Sequence, residues 1–207
     1  MADLINLEKI LNKYPLVSDQ VNTAQLRVIL QELEKTLQKG VEGDIVEFGC
    51  YIGTTSLFIR RLLDLHRQTQ TFHVYDSFEG LPEKSARDTS GAGEQFKAGT
   101  LRVSKKQLLH EFQKAHLMPP VIHKGWFGKL GAAEVPKQIA FAFLDGDFYE
   151  SIKDSLMLVL PRMSPGGTII VDDYAREALP GVAKAVHELL PTYIAVQNKY
   201  NLGVVHL

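Results

Sequence analysis

From Asp44 onward the chain alternates short apolar runs with longer amphipathic ones, and this alternation restricts the fold more than any other feature of its 207 residues. Ile45–Phe48, Thr71–Tyr75, Val121–Ile122, Ile139–Leu144 and Thr168–Val171 read as strands. Between them, Thr54–Leu65, Ser104–Ala115, Tyr149–Leu160 and Leu179–Leu190 read as helices, the last despite Pro180 near its start. Thr54 or Thr55 is placed to cap the first of these. Repeated strand–helix units build a parallel sheet covered on both faces. The nearly all-apolar Ile139–Leu144 suits a strand buried on both sides. Tyr193–Val196 and Gly203–His206 predict two closing strands joined around Asn201 as a hairpin. The expected class is α/β: a doubly wound, mostly parallel seven-stranded sheet with an antiparallel C-terminal hairpin.

Residues 1–40 precede this pattern and read as helices. Leu26, Ile29, Leu33 and Leu37 recur at helical spacing, with Gly40 placed as a C-cap. A shorter helix over 3–12 would put Leu4, Leu7 and Leu11 on one face. Neither an internal repeat nor a Pro/Ser linker divides the chain, which predicts one domain over 1–207. Residues 83–100 are rich in Gly, Ser, Glu and Lys; with few apolar anchors, they suggest a mobile lid over a site.

A formal net charge of -1 argues against general nucleic-acid binding, which needs a basic footprint, and gives no reason to propose an anionic membrane surface. The single cysteine, Cys50, cannot form an intrachain disulfide. The N-terminus has neither a basic region nor a long apolar run, so a cytoplasmic protein is expected. A homo-oligomer is compatible with this composition.

In an open α/β sheet, ligands bind beyond the carboxyl ends of the strands. The first strand runs into Glu47-Phe48-Gly49-Cys50-Tyr51-Ile52-Gly53 and then Thr54, where a helix opens. Gly49 permits a tight turn, and Gly53 lets the helix start and a ligand approach. Tyr51 stands where a dinucleotide fingerprint would have its second glycine, crowding a pyrophosphate. The acid Glu47 suits a cationic or amine-bearing ligand. An ordinary tight turn would use the same glycines.

The second strand ends in Asp76-Ser77, where a carboxylate can accept both hydroxyls of a ribose or simply belong to an exposed turn. Two further strands end in Asp145-Gly146-Asp147 and Asp172-Asp173. If those strands are neighbours, Asp145, Asp172 and Asp173 converge, raising one another's pKa unless a cation intervenes. Hard oxygen donors suit magnesium; the rival account is that Asp147 and Asp173 cap helices. Gly125-Trp126-Phe127 could offer an aromatic face to a base, or be core. His123 could serve as a general base, although a surface histidine before a loop explains it as well.

The segments GDIVEFGCYIGTTS, DSFEGLP, KGWF, FLDGDFYES and SPGGTIIVDDY, in that order over about residues 43–174, resemble the macrocin O-methyltransferase family. The resemblance implies a Rossmann-like class I methyltransferase fold, S-adenosyl-L-methionine as donor and Mg2+ as metal. It places Glu47, Gly49 and Gly53 in the cofactor loop and makes Asp76 the ribose-binding acid; Tyr51, Thr54, Ser77, Gly125, Trp126, Phe127 and Asp145 are expected beside them at the cofactor. It makes Asp145, Asp172 and Asp173 the metal carboxylates, with Asp145 also a catalytic base. The acceptor would be a hydroxyl of a sugar or other secondary-metabolite small molecule. Residues 83–100 match no pattern that identifies it. A nicotinamide-dependent oxidoreductase would share the architecture, but Tyr51 and the aspartates oppose it; a non-catalytic nucleoside-binding protein on the same scaffold is the other rival.

Overall fold

The computed structural model describes residues 4–192 and 194–207; the strand start expected at Tyr193 lies outside them. Two helices, α1 (Leu4–Lys13) and α2 (Thr23–Gln38), lead into β1 (Asp44–Phe48), α3 (Thr54–Leu65) and β2 (Phe72–Asp76). Then follow α4 (Lys105–Lys114), β3 (Val121–Lys124), β4 (Ile139–Leu144), α5 (Tyr149–Val159), β5 (Met163–Val171), α6 (Pro180–Leu189), β6 (Val196–Lys199) and β7 (Leu202–His206). The seven strands form one sheet in the order β3-β2-β1-β4-β5-β7-β6. β1–β5 run parallel, whereas β7 is antiparallel to both β5 and β6. The doubly wound sheet with its C-terminal hairpin is therefore present. The strand order reverses between β1 and β4, opening a crevice at their carboxyl ends.

All six residues of β4 are fully buried because both faces of the sheet are covered. Phe141 and Phe143 pack with Leu26, Ile29, Leu62 and Leu108 from the N-terminal and α3–α4 side. Ala142 and Leu144 face Ile152, Leu156, Val182 and Val186 of α5 and α6. Each large apolar side chain so buried contributes about 1.5–3 kcal/mol.

Several local features differ from expectation. β5 begins at Met163, because Pro165-Gly166-Gly167, which resembles a turn, is drawn into the sheet where Met163 aligns with Ile139. β6 lies at 196–199 rather than 193–196. A two-residue turn with φ of 54° at Tyr200 and 68° at Asn201 pairs Lys199 directly with Leu202. Gly40 adopts φ 65° just beyond the α2 cap, and Pro180 occupies the first turn of α6, where its missing N–H costs nothing. Neither Thr54 nor Thr55 caps α3: the N-cap is Gly53 at φ 96°, without a side-chain bond.

Segment 83–100 is tied down more firmly than its composition implies. Asp88 accepts the Tyr149 N–H at the start of α5 (2.7 Å), and Ser90 Oγ donates to the Glu177 carbonyl (2.9 Å). Gly93 presses against Ala178, and Phe96 is buried beneath Arg176. No described helix is long and apolar enough to cross a membrane.

Candidate active site

The carboxyl ends of β1, β2, β4 and β5 open into a cleft of about 420 Å³. The loops beyond these four strands all hold non-glycine residues at positive φ: Tyr51 (47°) after β1, Phe78 (56°) and Leu101 (59°) after β2, Asp147 (58°) after β4 and Asp173 (54°) after β5. Such conformations cost about 1–3 kcal/mol and concentrate at ligand sites. Tyr51 thus takes the left-handed geometry usual for glycine and still lines the cleft.

Gly49 is required by the crevice itself. At φ 86°, with its N–H donated to the Tyr75 carbonyl (2.8 Å), a Cβ would stand 1.8 Å from the Asp145 carbonyl oxygen. Gly53 serves helix entry as expected, at φ 96°, but it does not line the cleft: a Cβ there would meet the Leu108 side chain of α4 at 2.5 Å. Among the sequence-predicted cofactor residues, Gly49, Tyr51, Asp76, Ser77, Trp126, Phe127 and Asp145 line the cleft. Glu47, Gly53, Thr54 and Gly125 stand behind its lining. Glu47 is buried under the loop, where Ser56 Oγ donates to it at 2.5 Å. Burial raises its pKa to about 8, with Ser56 opposing and Asp76 adding to the rise. Thr54 Oγ1 meets Ser18 Oγ at 2.7 Å, tying down the segment before α2. Gly125 N–H donates to the Asp76 carbonyl at 2.9 Å.

The Asp76 carboxylate organises two loops. Oδ2 accepts the N–H groups of Cys50 (2.9 Å) and Tyr51 (3.3 Å), while Oδ1 accepts that of Phe78 (2.7 Å). A carboxylate has roughly four lone-pair sites, so a ligand hydroxyl can still be accommodated. Burial and Asp76 push the Cys50 thiol well up, leaving it a poor nucleophile. His123 does not line the cleft: it bonds to His73 at 3.1 Å and stacks on Tyr75, so it is no base for this site.

At the other side, β4 and β5 are neighbours and bring Asp145, Asp147, Asp172 and Asp173 to one mouth. Neither Asp147 nor Asp173 caps a helix; the N-caps of α5 and α6 are Phe148 and Leu179. Burial followed by Asp172, Asp147 and Asp173 raises Asp145 well above the usual carboxylate range. Burial and Asp173 lift Asp172 to about 8 and Asp147 to about 7. The expected convergence is therefore present, and it is short of positive charge. A metal ligand set is not assembled, however: among the described residues no group of three or more His, Cys, Asp or Glu is arranged to hold a metal ion. Arg176 Nη1 already donates to both Asp173 oxygens (3.0 and 3.2 Å). Asp172 Oδ1 accepts from Gln25 Nε2 (3.2 Å) and the Asp173 N–H (2.9 Å).

Gln20, Gln25, Arg176, Ser151 and Asp154 are additions that sequence reasoning missed. Only Ser151 and Asp154 carried a signal, being three apart on the helix after the Asp145–Asp147 turn.

A model of the macrocin-O-methyltransferase (TylF) family matches residues 14–192. A Streptomyces olivaceus protein, 8-demethyl-8-(2,3-dimethoxy-alpha-L-rhamnosyl)-tetracenomycin-C 4'-O-methyltransferase, is 36% identical over 168 residues, covering 78% of this chain and 63% of the relative. The mycinamicin III 3''-O-methyltransferase of Micromonospora griseorubida is 30% identical over 184 residues, covering 84% of this chain and 71% of the relative. The chain thus spans under two thirds of the first relative's length. The solved O-methyltransferase NovP superposes with a TM-score of 0.78 at 26% identity, covering 90% of this chain and 80% of that one. With its strand order and antiparallel terminal pair, the chain has the class I methyltransferase fold and belongs to the macrocin O-methyltransferase family.

Proposed function

We propose that this chain is an S-adenosylmethionine-dependent O-methyltransferase acting on a hydroxyl of a sugar or other secondary-metabolite small molecule. The main support is one cleft that joins Asp76 at the end of β2 to the aspartates at the ends of β4 and β5. A relative named for O-methylation of a rhamnosyl tetracenomycin supports a sugar hydroxyl as acceptor.

Holding donor and acceptor in one cleft aligns sulfur, methyl and oxygen for in-line displacement and removes orientational entropy from the barrier. The acceptor oxygen forms its bond to the methyl carbon as the carbon–sulfur bond breaks, leaving the neutral thioether. Asp145 takes the hydroxyl proton. The donor's positive sulfonium favours the ionised form of this acid, which its neighbours otherwise suppress.

Magnesium dependence is the finer part of the proposal. The donor chemistry of Asp145, Asp172 and Asp173 fits a hard cation, but their present arrangement requires Asp173 to exchange Arg176 for it. Bound there, the cation would acidify the acceptor hydroxyl.

S-adenosylhomocysteine should raise the melting temperature, and Asp76→Ala should weaken its binding by roughly 1–3 kcal/mol. A chelator should stop methylation of a sugar-bearing acceptor while leaving that binding intact, and Asp172→Asn should lower turnover more than donor affinity. Absence of S-adenosylhomocysteine binding would refute the donor assignment. Full turnover in chelator would refute the metal alone.

A further inference from the structure

Cations that nothing in the chain neutralises edge the cleft on its β3 side. Residues 97–129 hold seven Lys/Arg against one acid, Glu111, in a chain whose net charge is -1. Glu111 pairs with Lys114 at 3.0 Å. The other six, Lys97, Arg102, Lys105, Lys106, Lys124 and Lys129, are exposed, and among the described residues none joins an ion pair or donates a side-chain hydrogen bond. Lys105 and Lys106 have no acid three or four residues away on either side, so they are not the interleaved charges of an ordinary solvated helix face. Glu79, Glu83 and Glu94 lie on the same β2–α4 connection without pairing with any of the six.

The topology gathers them at the cleft end of the sheet. Lys97 follows Phe96, which is buried beneath Arg176, the partner of Asp173, so the row begins beside the aspartate mouth. Arg102 follows Leu101, which lines the cleft. α4 runs back from the carboxyl ends of the strands to the start of β3, which puts Lys105 and Lys106 of its first turn at the same end. Burial and His73 lower the pKa of His123 and Lys105 adds to this, as befits a first turn lying beside β3. Lys124 ends β3 in register with Asp76, and Lys129 itself lines the cleft. β3 stands three strand spacings from β4, about 14 Å from the acid that would take the proton. A sugar alone does not span that distance, whereas a sugar bearing a nucleoside diphosphate does. Ammonium and guanidinium groups are the usual partners of phosphate.

We propose that the acceptor is a sugar still joined to a nucleoside diphosphate, its phosphates on this basic rim and its hydroxyl at Asp145; this rests on the methyl-transfer reading above. Calorimetry on the whole chain, with and without S-adenosylhomocysteine, tests it with thymidine-diphosphate rhamnose, rhamnosyl phosphate and neutral methyl rhamnoside. The diphosphate should bind about tenfold or more tighter than the neutral sugar, with the monophosphate between them. That advantage should shrink as salt is raised, because screening shortens the reach of exposed charges. Lys105→Gln, Lys106→Gln and Lys124→Gln combined should weaken the diphosphate about tenfold and leave S-adenosylhomocysteine affinity within about twofold. Melting of the unliganded triple variant will show that it remains folded. Equal affinities for the three sugars, or a diphosphate affinity unchanged in the triple variant, would overturn the proposal. So would a duplex RNA oligonucleotide that binds more tightly than the diphosphate, since the rim would then belong to a nucleic acid. Failure of S-adenosylhomocysteine to bind would refute the donor reading instead, and the sugar titrations without it still decide the rim.

Discussion

Replacing Asp88 with alanine should cost about 3 kcal/mol of stability and loosen segment 83–100 from α5 and α6. This carboxylate is 1% exposed. It accepts Tyr149 N–H at 2.7 Å, Ser85 N–H at 3.0 Å and Ser85 Oγ at 2.6 Å. It is also wedged against α6, where a Cβ on Gly181 would stand 1.9 Å from Oδ1. Tyr149 N–H belongs to the first turn of α5, and the N-cap Phe148 offers it no side-chain bond. Removing a cap costs about 0.5–2 kcal/mol, and stranding a buried donor about 1–3 kcal/mol. These overlap for Tyr149, whereas Ser85 is nearer water and adds less. Urea unfolding at unchanged m-value reads the loss, and each kcal/mol should lower the Tm by about 2–4 °C in a chain of this size. Asp88→Asn keeps an oxygen for Tyr149 but turns an amide toward Ser85 N–H, so it should recover about half the loss. A cost below about 1 kcal/mol for Asp88→Ala would show that Asp88 is not the anchor.

Two further outcomes are open to measurement. Glu32 is 2% exposed, and although burial opposes its charge, Lys199, His206 and Lys35 hold its pKa down to about 2. Its stabilisation is therefore fully present above the ordinary 4.5 and lost as pH falls through about 2. That loss, at most about 3 kcal/mol, should vanish from the acid-denaturation profile of Glu32→Gln; an unchanged profile would refute the assignment. Hydrogen exchange at 94–101 should slow when S-adenosylhomocysteine binds, because Leu81 and Leu101 line the cleft. Residues 85–93, already anchored, should change less; equal protection with and without ligand would rule out closure.

By itself the sequence determined the architecture and the chemistry at the strand ends. Apolar runs stopping in Gly49, Asp76, Asp145 and Asp172 marked where a parallel sheet presents its ligand crevice, since periodicity and breaker residues are properties of short segments. What those residues touch was decided by tertiary structure. Gln25 reaches Asp172 from 147 positions away, and Asp88 caps α5 from 61. At Gly49 the Asp145 carbonyl oxygen comes within 1.8 Å of where a Cβ would stand, an approach from another strand that no local pattern contains. The segment over 83–100 carries the composition of a free loop, yet Asp88, Ser90 and Gly93 find partners on α5 and beside α6. Arg176 likewise claims Asp173, which the sequence alone would give to a metal. Hydrophobic periodicity is local and so can be read along the chain. The pairing of a given carboxylate with a given donor follows from the order β3-β2-β1-β4-β5-β7-β6, which sets distant residues side by side.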